Sequence, residues 1–295
     1  MKFIHTFWSK PLYENLVKGF DESLKNILYN YACSVSCIHK FNEKIVLYTD
    51  KKGAELLSFL PYDDIIIIED KEMDETSISF PAQIKFYALR DCELGDVLID
   101  GDLFLWKQEA IDIVKEAKED VVYSFFEPYL CILTQNNYVI ICNHLLHKFS
   151  ILEHEIEPPY YLPKYPDEYE YFNTSLMKIN NQELKDKYVN DYFLYREKYK
   201  KVDFENVWAD LLIEQLFLTQ LVKNKNYTSK PIIKNFFINH EESNNYARQI
   251  GFVHLGSNKT PYFDFTFNIL SNNDRVLCDK VAERYNEIIK QKNLN

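Results

Sequence analysis

The sequence predicts an α/β fold in which helices flank a sheet. Short apolar runs bounded by turn residues alternate with segments of helical periodicity through the first half of the chain, as in βα units. Hydrophobic residues make up 46% of the 295 residues, a proportion that suits a large buried core. Because neither an internal repeat nor a low-complexity linker interrupts the sequence, we expect one domain over 1–295, with halves at 1–150 and 151–295.

The first half of the chain alternates predicted strands with predicted helices. The strands are short apolar runs at 2–6, 44–48, 64–68, 97–99 and 121–125. The helices are predicted at 15–32, 52–60, 81–90 and 111–119. In the first helix Leu16, Phe20 and Leu24 recur at helical spacing, and Pro81 suits the first turn of the third.

The second half begins with an irregular segment, because four prolines fall between residues 158 and 166. A strand is predicted at 172–179, and helices are predicted at 182–199 and 204–222. A strand at 232–238 and an amphipathic helix at 274–292 follow. We expect this half to be an addition to the fold of the first half and not an independent domain.

Charge, cysteine content and hydropathy restrict the class of function. The net charge of -11 disfavours nucleic acid as a partner, since an acidic surface repels phosphate backbones. The sequence offers neither a signal peptide nor an apolar run of the roughly 20 residues that span a bilayer. The six cysteines are therefore expected to be reduced, buried side chains of a cytoplasmic protein.

The main chemical signal is a pair of carboxylates, Asp100 and Asp102, directly after the predicted strand at 97–99. Residues i and i+2 of an extended backbone point to the same side, so the two side chains can converge on one ion. Ligands of α/β sheets bind at the carboxyl ends of strands, and Gly101 leaves room for a ligand to approach. Carboxylate oxygens suit Mg²⁺ or Mn²⁺.

A solvated turn is the alternative interpretation of this pair, because Asp-x-Asp occurs by chance in many acidic proteins. The neighbouring residues argue against it: VLI precedes the pair and LFLW follows it. Two carboxylates in apolar surroundings carry a large desolvation cost unless they meet a cation. We therefore expect a metal site.

Two segments of the first half resemble known glycosyltransferases. FYALRDCELGDVLIDGDLFLW resembles the helix–strand–DxD block of the GT-A nucleotide-sugar transferases, which implies a Rossmann-like mixed sheet flanked by helices, with an acceptor-side C-terminal elaboration. FIHTFWSKPL resembles the opening of the capsular-sugar and toxin-type glucosyltransferases. This second resemblance implies that Trp8 stacks on the uracil of a UDP-sugar, with Thr6 and Phe7 beside it.

Further segments resemble the galactosyltransferase/glycogenin-like family. YFNTSLMKIN resembles its acceptor-side strand, with Ser175 in place of a glycine, and implies that Asn173, Thr174 and Ser175 bind substrate. LLIEQLFLTQL has Glu214 and Gln215 where that family has an Asp-Gln pair near the transferred sugar, which implies a catalytic role.

The segment VHLGSNK resembles that family's HxxGxxK segment, with its glycine one residue early. The resemblance implies that His254 is the third metal ligand, that Gly256 lies near the substrate and that Lys259 binds the diphosphate. Where the toxin-type enzymes carry an Asp and an Arg, this chain has Gln83 and Lys85, and Lys85 would serve the diphosphate as a point charge.

These resemblances imply a metal-dependent glycosyltransferase that moves a sugar from a UDP-sugar to a glycan or a lipid-linked acceptor. A histidine beside two carboxylates favours Mn²⁺ slightly over Mg²⁺. The galactosyltransferase-like segments favour retention of anomeric configuration, with Glu214 or Gln215 facing the sugar. An inverting enzyme would instead need a base for the acceptor hydroxyl.

Two other functions stay open. A haloacid-dehalogenase-like phosphatase also uses Asp-x-Asp after a strand, but on its first strand and followed by Gly-Thr, whereas Leu-Phe follows here. A non-catalytic GT-A-like protein that binds a sugar or a nucleotide would keep the same fold. Turnover of a bound nucleotide-sugar distinguishes the enzyme from such a protein.

Overall fold

A computed structural model of the chain describes residues 1–14, 19–69, 71–78, 80–128, 170–200, 212–234, 239–256 and 260–293. The chain divides into two compact units, each built from separated segments. Unit 1 contains Met1–Glu69, Leu98–Lys115 and Ala247–Asn295, and unit 2 contains Asp70–Val97 and Glu116–Tyr246.

Strands and helices alternate along most of the described chain. The strands are β1 (Phe3–Phe7), β2 (Ile45–Thr49), β3 (Asp64–Ile67), β4 (Val97–Ile99), β5 (Leu103–Leu105), β6 (Val121–Pro128), β7 (Glu170–Ile179), β8 (Ser229–Ile233) and β9 (Phe252–His254). The helices are α1 (Lys10–Glu14), α2 (Phe20–His39), α3 (Lys51–Leu57), α4 (Lys71–Glu75), α5 (Gln83–Asp91), α6 (Gln108–Glu116), α7 (Gln182–Tyr199), α8 (Leu218–Lys225), α9 (His240–Ile250), α10 (Phe263–Asn273) and α11 (Arg275–Lys292). A π-helical turn, Leu212–Phe217, precedes α8.

Unit 1 contains strands in the order β3-β2-β1-β4. β1 and β2 are parallel, with Phe3 opposite Ile45 and Phe7 opposite Thr49, and β2 and β3 are also parallel. α2 packs against α10 and α11. β5 and β9 form a separate antiparallel ribbon.

Helix α2 differs from its predicted range of 15–32, because it continues to His39. Residues 32–38 are all buried, so this part of the helix has no exposed face and its sequence shows no apolar periodicity. Periodicity was the signal for the prediction, which therefore ended too early. Residues 15–18, at the predicted start, lie outside the described residues.

Unit 2 contains strands in the order β7-β6-β8, with β6 antiparallel to β7 and parallel to β8. Its core is aromatic: the ring of Phe86 on α5 stacks on Tyr192 of α7 at a centroid distance of 3.5 Å. Helix α7 begins after Asn181, whose side chain accepts a hydrogen bond from the amide of Leu184. The predicted strand at 232–238 is observed as Ser229–Ile233, and 235–238 lie outside the described residues.

The predicted fold class is confirmed. Among the described residues, the strands of the two units include parallel pairs, such as β1 with β2, and an antiparallel pair, β6 with β7. Helices accompany the strands in both units. Within the described part of the chain, no helix is both long and apolar enough to span a membrane.

Candidate functional site

Asp100 and Asp102 lie in the turn that joins β4 to β5 in unit 1. Asp102 is only 6% exposed, while Asp100 is half-buried. One carboxylate oxygen of each and one ring nitrogen of His254 all lie within 4.8 Å of one another. Among the described residues, these three side chains form the group whose ligand atoms lie close enough together to hold one metal ion.

The β5–β9 ribbon brings His254 to the carboxylates. His254 pairs with Leu103, the residue after Asp102, and the amide of Leu255 donates a hydrogen bond to the Asp102 carbonyl at 3.2 Å. The Nε2 atom of His254 is 3.8 Å from Oδ2 of Asp102. Neither strand of this ribbon was predicted, so the resemblance alone indicated His254.

The donor set fits a divalent cation. Two carboxylates and one imidazole suit Mn²⁺ or Mg²⁺, which take their other ligands from water and phosphate oxygens. The burial of Asp102 beside a second carboxylate also carries a desolvation and repulsion cost that a cation would offset.

A buried histidine on β1 lies next to this turn. Nδ1 of His5 is 2.8 Å from the Tyr62 hydroxyl, and Nε2 is 2.9 Å from Oγ of Ser34, which itself donates to the carbonyl of Leu103 at 2.7 Å. Burial lowers the pKa of His5 from 6.5 to about 3, although the charge of Asp102 opposes this shift. His5 is therefore neutral, accepting from Tyr62 and donating to Ser34.

The residues predicted to bind the nucleotide lie at the end of β1 and are all buried. Thr6 is 8%, Phe7 7% and Trp8 5% exposed. The carbonyl of Phe7 accepts a hydrogen bond from the Thr49 hydroxyl at 2.7 Å, which fixes the end of β1 against β2. The stacking role of Trp8 stays a prediction.

The backbone conformation at position 256 requires a glycine. Its φ of +67° lies in the left-handed region, and a Cβ atom there would meet nothing within 4 Å. Gly256 follows His254 closely, so its conformation sets the direction of the chain after β9. Lys259, the predicted diphosphate ligand, lies outside the described residues.

In unit 2, Lys85 and Thr174, which have different predicted roles, both contact Glu214. Nζ of Lys85 is 2.5 Å from Oε1 of Glu214, and the Thr174 hydroxyl donates to the same oxygen at 2.7 Å. Tyr188 fixes the backbone here by donating to the Glu214 carbonyl. The lysine predicted at the diphosphate thus forms an ion pair with a predicted catalytic carboxylate.

Asn173 and Ser175 instead contact β6. Nδ2 of Asn173 donates to Oε1 of Glu127 at 2.9 Å, and the hydroxyls of Ser175 and Ser124 are 2.6 Å apart. Burial raises the pKa of Glu127 from 4.5 to about 7, opposed by the Asn173 hydrogen bond. Sequence reasoning missed Glu127, which lies two residues after the predicted strand at 121–125 but inside the observed strand β6.

Two glutamines of unit 2 have unpaired amide atoms. Gln83 is fully buried, and neither atom of its amide has a hydrogen-bond partner within the described parts of the chain. Oε1 of Gln215 is also buried and unpaired among these residues. Such groups are costly unless a ligand or water satisfies them.

Comparison with known proteins identifies the family to which the chain belongs. The model of a family of unknown function, DUF6734, matches residues 1–291. The chain belongs to this family. No curated protein sequence matches the chain.

Two solved structures similar to this DUF6734 member are glycosyltransferases. The glycosyltransferase GlyE of Streptococcus pneumoniae TIGR4 is 9% identical with a TM-score of 0.45, and the match covers 95% of this chain and 63% of that one. The galactosyltransferase LgtC, in complex with donor and acceptor sugar analogs, is 12% identical with a TM-score of 0.39 and coverages of 72% and 69%. The chain thus spans less than two thirds of the length of GlyE.

Proposed function

We propose that this protein is a metal-dependent glycosyltransferase that moves a sugar from a UDP-sugar to a glycan or lipid-linked acceptor. The observation that carries the proposal is the convergence of Asp100, Asp102 and His254, whose ligand atoms lie within 4.8 Å of one another. The pair follows a buried strand of an α/β sheet, which is where this class of fold binds phosphorylated ligands. The sequence resemblance to GT-A enzymes supports the same interpretation.

Asp100, Asp102 and His254 would hold a Mn²⁺ or Mg²⁺ ion. When bound, such an ion supplies positive charge that stabilises the leaving diphosphate. Lys259 is proposed to add a second positive charge to that group. At the end of β1, Thr6, Phe7 and Trp8 are proposed to bind the nucleotide base.

The residues of unit 2 are proposed to act on the sugar. Glu214 is held by Lys85 and Thr174, so its carboxylate has a fixed orientation for a substrate hydroxyl or for charge that develops on the sugar. The unpaired amides of Gln83 and Gln215 are suited to sugar hydroxyls, which both donate and accept hydrogen bonds.

Calorimetric titration with UDP, with and without Mn²⁺, tests the donor-site assignment. We expect UDP binding that requires Mn²⁺ and is lost in Asp102→Asn, because one of the three metal ligands becomes a neutral amide. The matched control is Asp64→Asn, which changes an exposed carboxylate of another acidic pair in unit 1 and should bind as the native protein does.

Two other outcomes would contradict the proposed enzyme. If UDP does not bind with or without Mn²⁺, the donor-site assignment fails. If UDP binds but none of the UDP-sugars tested is hydrolysed or transferred, the protein is the non-catalytic nucleotide-binding member of this fold class. Hydrolysis assays with UDP-glucose and UDP-galactose separate the second outcome from the proposed enzyme.

A further inference from the structure

We propose that Tyr31 and Ser34 of α2 are positioning residues that hold Asp100 and Asp102 at metal-binding spacing before the ion arrives. The inference rests on the proposed metal site but assigns it a support that the sequence did not indicate. The two residues are three apart, so they lie on the same face of the helix. One contacts the middle of the metal-binding turn and the other contacts its end.

Tyr31 occupies the space beside Gly101. A Cβ atom on Gly101 would lie 2.3 Å from Cε2 and 2.4 Å from Cζ of the Tyr31 ring, far closer than any real contact. Glycine between the two aspartates is thus required by the tyrosine. The predicted role of Gly101, leaving space for a ligand to approach, stays a prediction.

The Tyr31 ring is itself held in place. Its hydroxyl donates to the carbonyl of Thr6 at 2.6 Å, and its ring makes edge-on contacts with His5 and Phe7 at centroid distances of 5.1 and 5.5 Å. Burial raises the pKa of Tyr31 well above 10, and the charges of Asp100 and Asp102 raise it further, so the hydroxyl stays a donor. Tyr31 therefore connects β1 to the turn.

Ser34 fixes the other end of the turn. Its hydroxyl donates to the Leu103 carbonyl at 2.7 Å and accepts from Nε2 of His5 at 2.9 Å. Leu103 directly follows Asp102 and pairs with His254. The same helical face that contacts Gly101 therefore also holds the first residue of the ribbon that carries the third ligand.

Two neighbouring carboxylates repel each other, so a flexible turn would separate them when no cation is bound. A turn held at Gly101 and at Leu103 keeps them together, and less ordering is then needed when the ion binds. Loosening the turn should consequently weaken metal binding without removing any ligand atom.

Binding of Mn²⁺ alone, followed by electron paramagnetic resonance of the free ion, tests this role. We expect Tyr31→Ala to raise the Mn²⁺ Kd at least tenfold. The matched control is Tyr29→Ala, on the same helix but packed on Phe263, which should lose similar thermal stability and keep its Mn²⁺ affinity within twofold. Equal Mn²⁺ affinity in the two variants would overturn the proposal.

Milder variants keep the test decisive if Tyr31→Ala fails to fold. Tyr31→Phe keeps the ring on Gly101 but loses the bond to Thr6, and Ser34→Ala loses the bond to Leu103. Each should raise the Mn²⁺ Kd two- to fivefold while circular dichroism shows native folding. An unchanged Kd in both folded variants would refute the positioning role.

A double-mutant cycle separates the contact from a general loss of packing. Gly101→Ala should weaken Mn²⁺ binding because its methyl group collides with the Tyr31 ring. Adding Tyr31→Ala provides the missing space, so the double variant should bind Mn²⁺ more tightly than additive losses predict. Additive losses would contradict the proposal. Failure of the native protein to bind Mn²⁺ would instead overturn the proposed metal site itself.

Discussion

Glu127 is a buried carboxyl that titrates near neutral pH. It is 7% exposed, Asn173 donates to Oε1, and Oε2 has no partner among the residues that the structure describes. Burial raises its pKa from 4.5 to about 7, so between these values the folded state holds a proton that the unfolded state has released. The resulting stability is fully present below pH 4.5 and is lost as the pH rises through 7.

The Glu127→Gln variant tests this linkage, because glutamine stays neutral at every pH. We expect the free energy of unfolding of the native protein, relative to Glu127→Gln, to fall by about 3 kcal/mol between pH 4 and pH 8. Urea unfolding at several pH values measures it. Glu116→Gln, which changes an exposed carboxylate, should show no such relative change. A difference between native protein and Glu127→Gln that does not vary with pH would contradict the raised pKa.

The residues of the candidate site differ in whether the sequence alone could identify them. Asp100 and Asp102 are adjacent to a buried strand, so local sequence was sufficient. Tyr31 belongs to the site through a contact with Gly101, seventy positions away, and no periodicity or composition records that contact. Lys85 and Glu214 were both singled out, but their ion pair depends on how α5 meets the π-helical turn.

At the scale of elements, prediction succeeded where a segment has one buried face or one short apolar run. The strands β1, β2 and β3 and the helix α7 match their predicted positions within two residues. The strands β5 and β9 were missed because they form a ribbon between widely separated segments of the chain, and no local sequence pattern records that pairing. Their pairing is nevertheless what brings His254 to Asp102.

The start of α3 provides an element-scale prediction. Asp50 caps this helix: its Oδ1 accepts from the amides of Gly53 and Ser9 at 3.2 and 3.0 Å, and its Oδ2 accepts from the Ser9 hydroxyl at 2.5 Å. Asp50→Ala should therefore lower the free energy of unfolding by about 1–3 kcal/mol, as measured in urea. Asp50→Asn keeps the Oδ1 acceptor and should therefore lower the free energy of unfolding by less than Asp50→Ala does. Equal losses would show that the cap does not depend on that acceptor.

At the scale of the whole molecule, the compact units do not follow the order of the sequence. Unit 1 combines the N-terminal segment, the segment Leu98–Lys115 and the C-terminal segment from Ala247. Sequence patterns describe neighbouring residues, whereas a unit built from separated segments is defined by long-range packing, such as that of α2 on α10 and α11. Asp102 and His254 nevertheless belong to the same unit.

Because unit 1 contains all three proposed ligands, Mn²⁺ should stabilise the unfolding transition that includes unit 1. An ion that binds only the folded state at 100 times its Kd contributes about 2.7 kcal/mol, which corresponds to a rise in Tm of roughly 5–10 °C. Scanning calorimetry with and without Mn²⁺ measures the shift, and a chain of two compact units is fitted with two transitions where one does not suffice. Asp102→Asn should abolish the shift and Asp64→Asn should keep it. A Tm that Mn²⁺ leaves unchanged in the native protein would show that the three side chains do not bind the ion, because stabilisation by a ligand follows from its binding alone.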